Sequence, residues 1–262
     1  MKPDYKNWVP NGLIAVCAAV TLLSLVFVFA FGTGAIVSGT LRTILTIAFA
    51  VLFILFAKIT EWCLTAHSAF SYNGKRQLSR TIIDGVAEYV LLPDRGVGLD
   101  VGCGSGALTI ACAKRNPKAE FIGIDKWGRE YSEFNRPLCE KNAEAEGVRN
   151  VRFEKGDACR LNFADETFDA VTSNYVYHNI TGQDKQKLLL ETLRVLKKGG
   201  KFAIHDIMSP ARYGDMEKFM TKLKKSGYER VELIDTTNGK FMTRREARRL
   251  MLGGSALLVG IK

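Results

Sequence analysis

Residues Leu99 to Gly106 read Leu-Asp-Val-Gly-Cys-Gly-Ser-Gly and run into the helix-like segment Ala107 to Lys114. An apolar strand that ends in an acid, turns through three alternating glycines and continues as a helix leaves little choice of local fold. Glycines at 102, 104 and 106 carry no Cβ, so the backbone turns sharply there and a ligand can lie against it at the positive end of the next helix. The segment has the form of a nucleotide-cofactor loop.

Two ligand classes suit that spacing. Gly102, Gly104 and Ala107 satisfy the pattern G-x-G-x-x-G/A used for NAD and FAD. Asp100 argues for the other class: a carboxylate under the loop repels a pyrophosphate but welcomes an ammonium group, such as that of S-adenosylmethionine. Downstream, the strand-like run Ala119 to Ile124 ends at Asp125, close to the spacing expected of a ribose-binding acid. A third short strand, Val151 to Gly156, ends in Asp157 and Ala158, where an acid can accept a hydrogen bond from an adenine amino group.

As an ordered set these residues resemble the class I S-adenosylmethionine-dependent methyltransferases, over roughly Thr81 to Lys262. The resemblance implies that Asp100, Gly102, Gly104 and Gly106 hold the methionine part, Asp125 the ribose, and Asp157 with the Ala158 amide the adenine. Cys103 within the loop, Lys126 and Asn174 are grouped with them as cofactor-facing. Asp169 to Asn174 is similar to the family's fourth strand, and Leu193 to Phe202 to its helix-turn before strand five, with Lys198 where that turn usually has proline.

The pattern predicts strands at 97–101, 119–124, 150–155, 168–174, 200–206, 229–235 and 255–261. Helices are expected at 79–92, 106–115, 129–146, 183–197, 210–226 and 243–251. Such alternation implies an α/β fold, a doubly wound, mostly parallel seven-stranded sheet covered on both faces. The resemblance makes the last strand antiparallel.

Two transmembrane helices are expected ahead of that domain. No charge occurs between Lys6 and Arg42, and Gly12 to Phe31 is apolar for about the length that crosses a bilayer. A second apolar stretch follows Gly32-Thr33-Gly34 and runs from about Ala35 to Ala57. A cleaved signal peptide would have a shorter apolar region and no second span directly after it. Arg42 is expected to snorkel toward the headgroups. Lys2 and Lys6 precede the hairpin and Lys58, Lys75, Arg76 and Arg80 follow it, which places both termini and the catalytic domain in the cytoplasm at the cell membrane. The expected division is a hairpin at 1–57, a helical lead-in at 58–94 and the cofactor domain at 95–262.

The chain carries a formal net charge of +10. A basic domain can serve nucleic acid, but one held beside an anionic leaflet carries the same excess, and the hairpin makes that the more economical reading. The six cysteines show no C-x-x-C spacing and no partnered histidine pattern, so neither a disulfide nor a metal site is expected. Nothing in the sequence sets the oligomeric state.

Ligands of open α/β sheets lie beyond the carboxyl ends of the strands, where strand order reverses. The segment after strand four, Ser173 to Asn179, therefore faces the transferred methyl group. Its polar groups include Tyr175 and His178, the first candidate for a general base because imidazole titrates near operating pH. His205, beside Asp206 after strand five, is the second. The expected function is a membrane-anchored methyltransferase acting on a small, apolar or lipid-like acceptor taken from the bilayer. The alternatives are a tethered RNA or protein methyltransferase, or a non-catalytic S-adenosylmethionine-binding membrane module.

Overall fold

A computed structural model describes residues 2–34, 36–128 and 133–262. The chain forms two compact units, one built from residues 1–6 and 80–262, the other from residues 7–79.

The smaller unit is a helical hairpin of α1 (Asn11–Gly32) and α2 (Gly39–Phe70). Both helices are long and apolar enough to cross a membrane. Between them Thr21 and Thr60 bring their hydroxyls to 3.2 Å, and Phe27 and Phe31 pack on Phe49. Val16, Leu22, Phe29, Ile44, Val51 and Ile54 point outward, a contiguous apolar surface of a kind that soluble monomers rarely present. The helix of the second apolar run continues past Lys58 and Glu61 to Phe70, so α2 is about 48 Å long at 1.5 Å per residue. The Arg42 guanidinium donates to the Gly32 carbonyl at the end of α1, so this charge near the start of α2 caps the preceding helix.

The larger unit is a seven-stranded sheet in the order β3-β2-β1-β4-β5-β7-β6. Its strands are β1 (Val97–Val101), β2 (Glu120–Asp125), β3 (Val151–Lys155), β4 (Phe168–Asn174), β5 (Leu196–Ile207), β6 (Arg230–Asp235) and β7 (Ser255–Ile261). The first five are parallel, and β7 lies antiparallel between β5 and β6. Burial on both faces accounts for the apolar runs of β1 and β4, as parallel strands require. Around the sheet lie α3 (Leu78–Ala87), α4 (Ala107–Arg115), α5 (Arg136–Ala145), α6 (Lys185–Arg194), α7 (Pro210–Tyr213), α8 (Met216–Lys225) and α9 (Arg244–Arg249).

Four of the expected helices differ from their predicted bounds, and the first, expected at 79–92, already ends at Ala87. Of the predicted helix at 129–146, residues 129–132 lie outside the described residues, and α5 starts after Asn135, whose side chain caps the Leu138 amide at 2.9 Å. The helix expected at 210–226 is two, because Gly214 at φ 69° breaks the first and Asp215 caps the second. The helix expected to 197 ends at Arg194, since Leu196 already pairs with Phe168 in the sheet.

The N-terminal residues as far as Lys6 also belong to the larger unit. The amide and carbonyl of Asp4 bond the side chain of buried Asn142 on α5 at 2.7 and 3.0 Å, and the same Asn142 amide donates to the Ser105 carbonyl in the glycine loop. Replacing Asn142 by Ala strands three backbone groups, and we expect a loss of about 2 kcal/mol of stability, read as a lowered thermal midpoint; an unchanged midpoint would show that this strap bears no load.

Candidate active site

The candidate residues gather at the carboxyl edge of the parallel strands, where β1 and β4 diverge from their neighbours. Gly102, Gly104 and Gly106 all have positive φ, at 74°, 55° and 81°. A Cβ on Gly102 would lie 2.3 Å from Val176, and one on Gly106 would lie 3.0 Å from Phe153, so these two glycines are packing requirements. A Cβ on Gly104 would meet nothing within 4 Å. That open face is the loop's approach for a ligand.

The loop's amides are turned inward. Gly102 and Cys103 donate to the Ile124 carbonyl at 2.8 and 3.0 Å, Gly106 donates to the Cys103 carbonyl, and Gly104 donates to Asp125 Oδ2 at 2.9 Å. A pyrophosphate site needs such N–H groups aimed at the ligand and no carboxylate among them. The amides at 102, 103, 104 and 106 are satisfied within the fold and acids lie on two sides, an arrangement for a ligand with positive charge. The Cys103 thiol is buried and pushed up by that burial, so the residue is packing.

Asp100 is fully buried and accepts from Thr109 Oγ1 at 2.6 Å and Thr172 Oγ1 at 3.0 Å. It therefore acts on the site through its field from beneath the loop, rather than by touching a ligand as its place in the motif suggests. Burial pushes its carboxyl up to about 6, because two neutral hydroxyls do not offset the loss of water.

Asp125, half-buried at the end of β2, accepts from the Trp127 amide at 2.7 Å as well as from Gly104, and the Trp127 indole N–H donates to the Gly104 carbonyl at 3.0 Å. Each carboxylate oxygen keeps a lone pair for a ligand hydroxyl. At the end of β3, Asp157 accepts from the Cys159 amide, and Lys126 reaches it at 3.5 Å. Those contacts, led by the Cys159 amide, hold its carboxyl below the usual value. Ala158 beside it is half-buried.

Beyond β4 the chain bends at Tyr175, whose φ of 55° is strained for a bulky side chain. Its ring packs edge-on against His205 and His178, its hydroxyl bonds Ser255 Oγ at 2.8 Å, and burial pushes the phenol up. Tyr175 thus shapes the site instead of moving protons. His205 likewise departs from its expected role. It is fully buried, with Nδ1 on the Asn174 side-chain oxygen Oδ1 at 2.8 Å and Nε2 on Thr236 Oγ1 at 2.9 Å, and burial lowers its pKa to about 3. It is a neutral strut that holds Asn174 at the end of β4.

His178, in a short 3₁₀ turn at Tyr177–Asn179, keeps partial exposure, and its partner is Asp206. Asp206 Oδ1 lies 2.5 Å from His178 Nδ1, and Oδ2 accepts from the His178 amide and from Tyr213. Burial pushes the Asp206 carboxyl up, but His178, Tyr213 and the Ile207 amide outweigh it and hold it below its ordinary value. With Nδ1 so engaged, Nε2 is the nitrogen presented to an acceptor. The sequence places Asp206 beside His205, and only the fold reveals that it serves His178.

Residues 94–247 match the family described as "Methyltransferase domain". The chain belongs to that family. Its cofactor is S-adenosylmethionine. It is 26% identical to a demethylmenaquinone methyltransferase of Lactobacillus johnsonii, over 63% of this chain and 75% of that protein. With the demethylmenaquinone methyltransferase of Thermus thermophilus identity is 34%, over 44% of this chain and 48% of that one. The chain thus spans three quarters of the first relative but less than half of the second. Two solved structures share the fold: the [4+2]-cyclase SpnF (20% identity, TM-score 0.55, 72% of this chain and 84% of that one) and geranyl diphosphate methyltransferase in complex with GPP and sinefungin (14%, 0.54, 75% and 83%). A cyclase among them makes plain that the fold alone does not name a reaction.

Because its folded-state pKa is raised from 3.8 to about 6, Asp100 favours the fold when protonated, and that contribution is full below about pH 4 and lost as pH rises through 6. Asp100→Asn removes the titration. Between pH 4 and 7 the native protein should lose on the order of 3 kcal/mol relative to the variant in denaturant unfolding; parallel pH profiles would contradict the assignment.

Proposed function

We propose that this methyltransferase is held in a membrane by its hairpin and methylates a small apolar acceptor of the quinol type. The observation that carries the chemistry is the His178–Asp206 pair at the end of the sheet. The names of two relatives, both demethylmenaquinone methyltransferases, favour a quinol acceptor. The outward apolar surface of α1 and α2 favours a lipid-dissolved one.

The residues suit the cofactor on grounds of the loop itself: open space over Gly104, a Gly104 amide already bonded to Asp125, and acids beside it. Gly104 with the loop backbone would receive the methionine part, Asp125 the ribose hydroxyls, and Asp157 with Ala158 the adenine. Bound there, the cofactor supplies an electrophilic methyl carbon. Asp206 fixes the His178 ring so that Nε2 takes a hydroxyl proton from the quinol. The negative charge then spreads into the ring and makes the adjoining carbon nucleophilic. Once methylated, with the demethylated cofactor as leaving group, that carbon sheds its hydrogen as a proton to solvent while His178 returns its proton to the oxygen, restoring the aromatic quinol. Val176, pressed on Gly102, and Tyr175, packed between the two histidines, hold that segment in line and keep water out.

The test is transfer of labelled methyl groups by the full chain in lipid nanodiscs to a naphthoquinol lacking its ring methyl. Label should enter the quinol. His178→Ala and Asp206→Asn should each lower kcat by about 10²–10⁴ while leaving S-adenosylmethionine affinity intact. Label entering RNA or protein instead, or full turnover in both variants, would contradict the reading.

A further inference from the structure

The segment between β6 and β7 carries a feature that methyl transfer does not use. β6 ends at Asp235 and β7 begins at Ser255, which pairs with Ile207 at the end of β5, so residues 236–254 lie at the same carboxyl edge as His178. They are stitched into the catalytic layer at both ends. Thr236 bonds His205, Phe241 packs on the His205 ring at 5.4 Å, and Ser255 bonds Tyr175.

Within this segment Phe241, Met242, Ala247, Leu250 and Leu252 are buried and hold α9 firmly in place. Its outer face is cationic. Arg244, Arg245, Arg248 and Arg249 are all exposed, and the acid among them, Glu246, closes a capping box with Thr243. Two residues after Arg249, Met251 is 71% exposed, the highest value among the exposed large apolar side chains of the described residues. Phosphate contacts alone would use the arginines and leave the methionine without a role. A lipid headgroup layer accommodates both, with cations at the phosphates and the thioether dipping below them.

We propose that residues 244–251 are a docking surface for the anionic phospholipids of the leaflet from which the acceptor comes. The proposal rests on the reading of the hairpin as a membrane anchor and adds to it a second, electrostatic contact. That contact turns the acceptor end of the sheet toward the lipid. Its strength depends on headgroup charge and on salt, whereas insertion of apolar helices depends on neither.

Hydrogen exchange of the full chain in nanodiscs tests this. Amides of 244–252 should exchange about tenfold more slowly in discs of phosphatidylcholine with phosphatidylglycerol than in phosphatidylcholine alone, and the difference should vanish in high salt. Arg245→Glu with Arg248→Glu should abolish it, with unchanged exchange in α4 reporting an intact fold, and the double change to Lys should retain it. Equal exchange in both kinds of disc, or protection by added RNA but not by phosphatidylglycerol, would overturn the proposal and leave the anchor standing. Failure of the chain to enter discs of either composition would overturn the anchor and this surface together.

Discussion

The carboxylate of Asp125 ties the site together. It accepts the Gly104 amide on one oxygen and the Trp127 amide on the other, and the Trp127 indole returns to the Gly104 carbonyl. The glycine loop is thereby closed against the end of β2, with its inner amides spent. What remains open to a ligand is the Cβ-free face of Gly104, with negative charge nearby. Such a surface suits a sulfonium and an ammonium, and it disfavours a pyrophosphate. From this constraint follow the placement of the cofactor and the position of the acceptor segment, whose Val176 packs onto Gly102.

Two buried carboxylates show how surroundings divide the work of one residue type. Asp100 has two hydroxyl donors, and its burial prevails, so its carboxyl is raised. Asp206 is as deeply buried but has an imidazole, a phenol and backbone amides as donors, and these prevail over burial. The first titrates beneath the loop and lends the site its negative field only above about pH 6. The second stays ionised and sets the His178 ring, which turns a histidine near a cleft into an oriented base.

Much of this was legible in the sequence because it is written in local order. Strand, acid, glycine loop and helix follow one another within sixteen residues, and the acids at 125 and 157 close the next two strands. β4 and β7 fall where periodicity and turn residues put them. What the sequence concealed depends on contacts between distant positions. Asp206 sits next to His205 along the chain, yet alternation in a strand turns neighbours to opposite faces, so the buried strut and the ionised partner of His178 are adjacent residues with separate roles. Asn142 gives no local sign that it bridges residue 4 to the glycine loop, and the break at Gly214 is hidden in a run that otherwise reads as one helix.

The account stands on the claim that the loop receives a cationic cofactor beside Asp125. Calorimetric titration of the full chain with S-adenosylmethionine, its demethylated product and NAD, repeated with Asp125→Ala, tests it directly. Binding of the first two alone, lost in the variant, is the expected result. Binding of NAD in preference, or S-adenosylmethionine affinity untouched by the substitution, would contradict it.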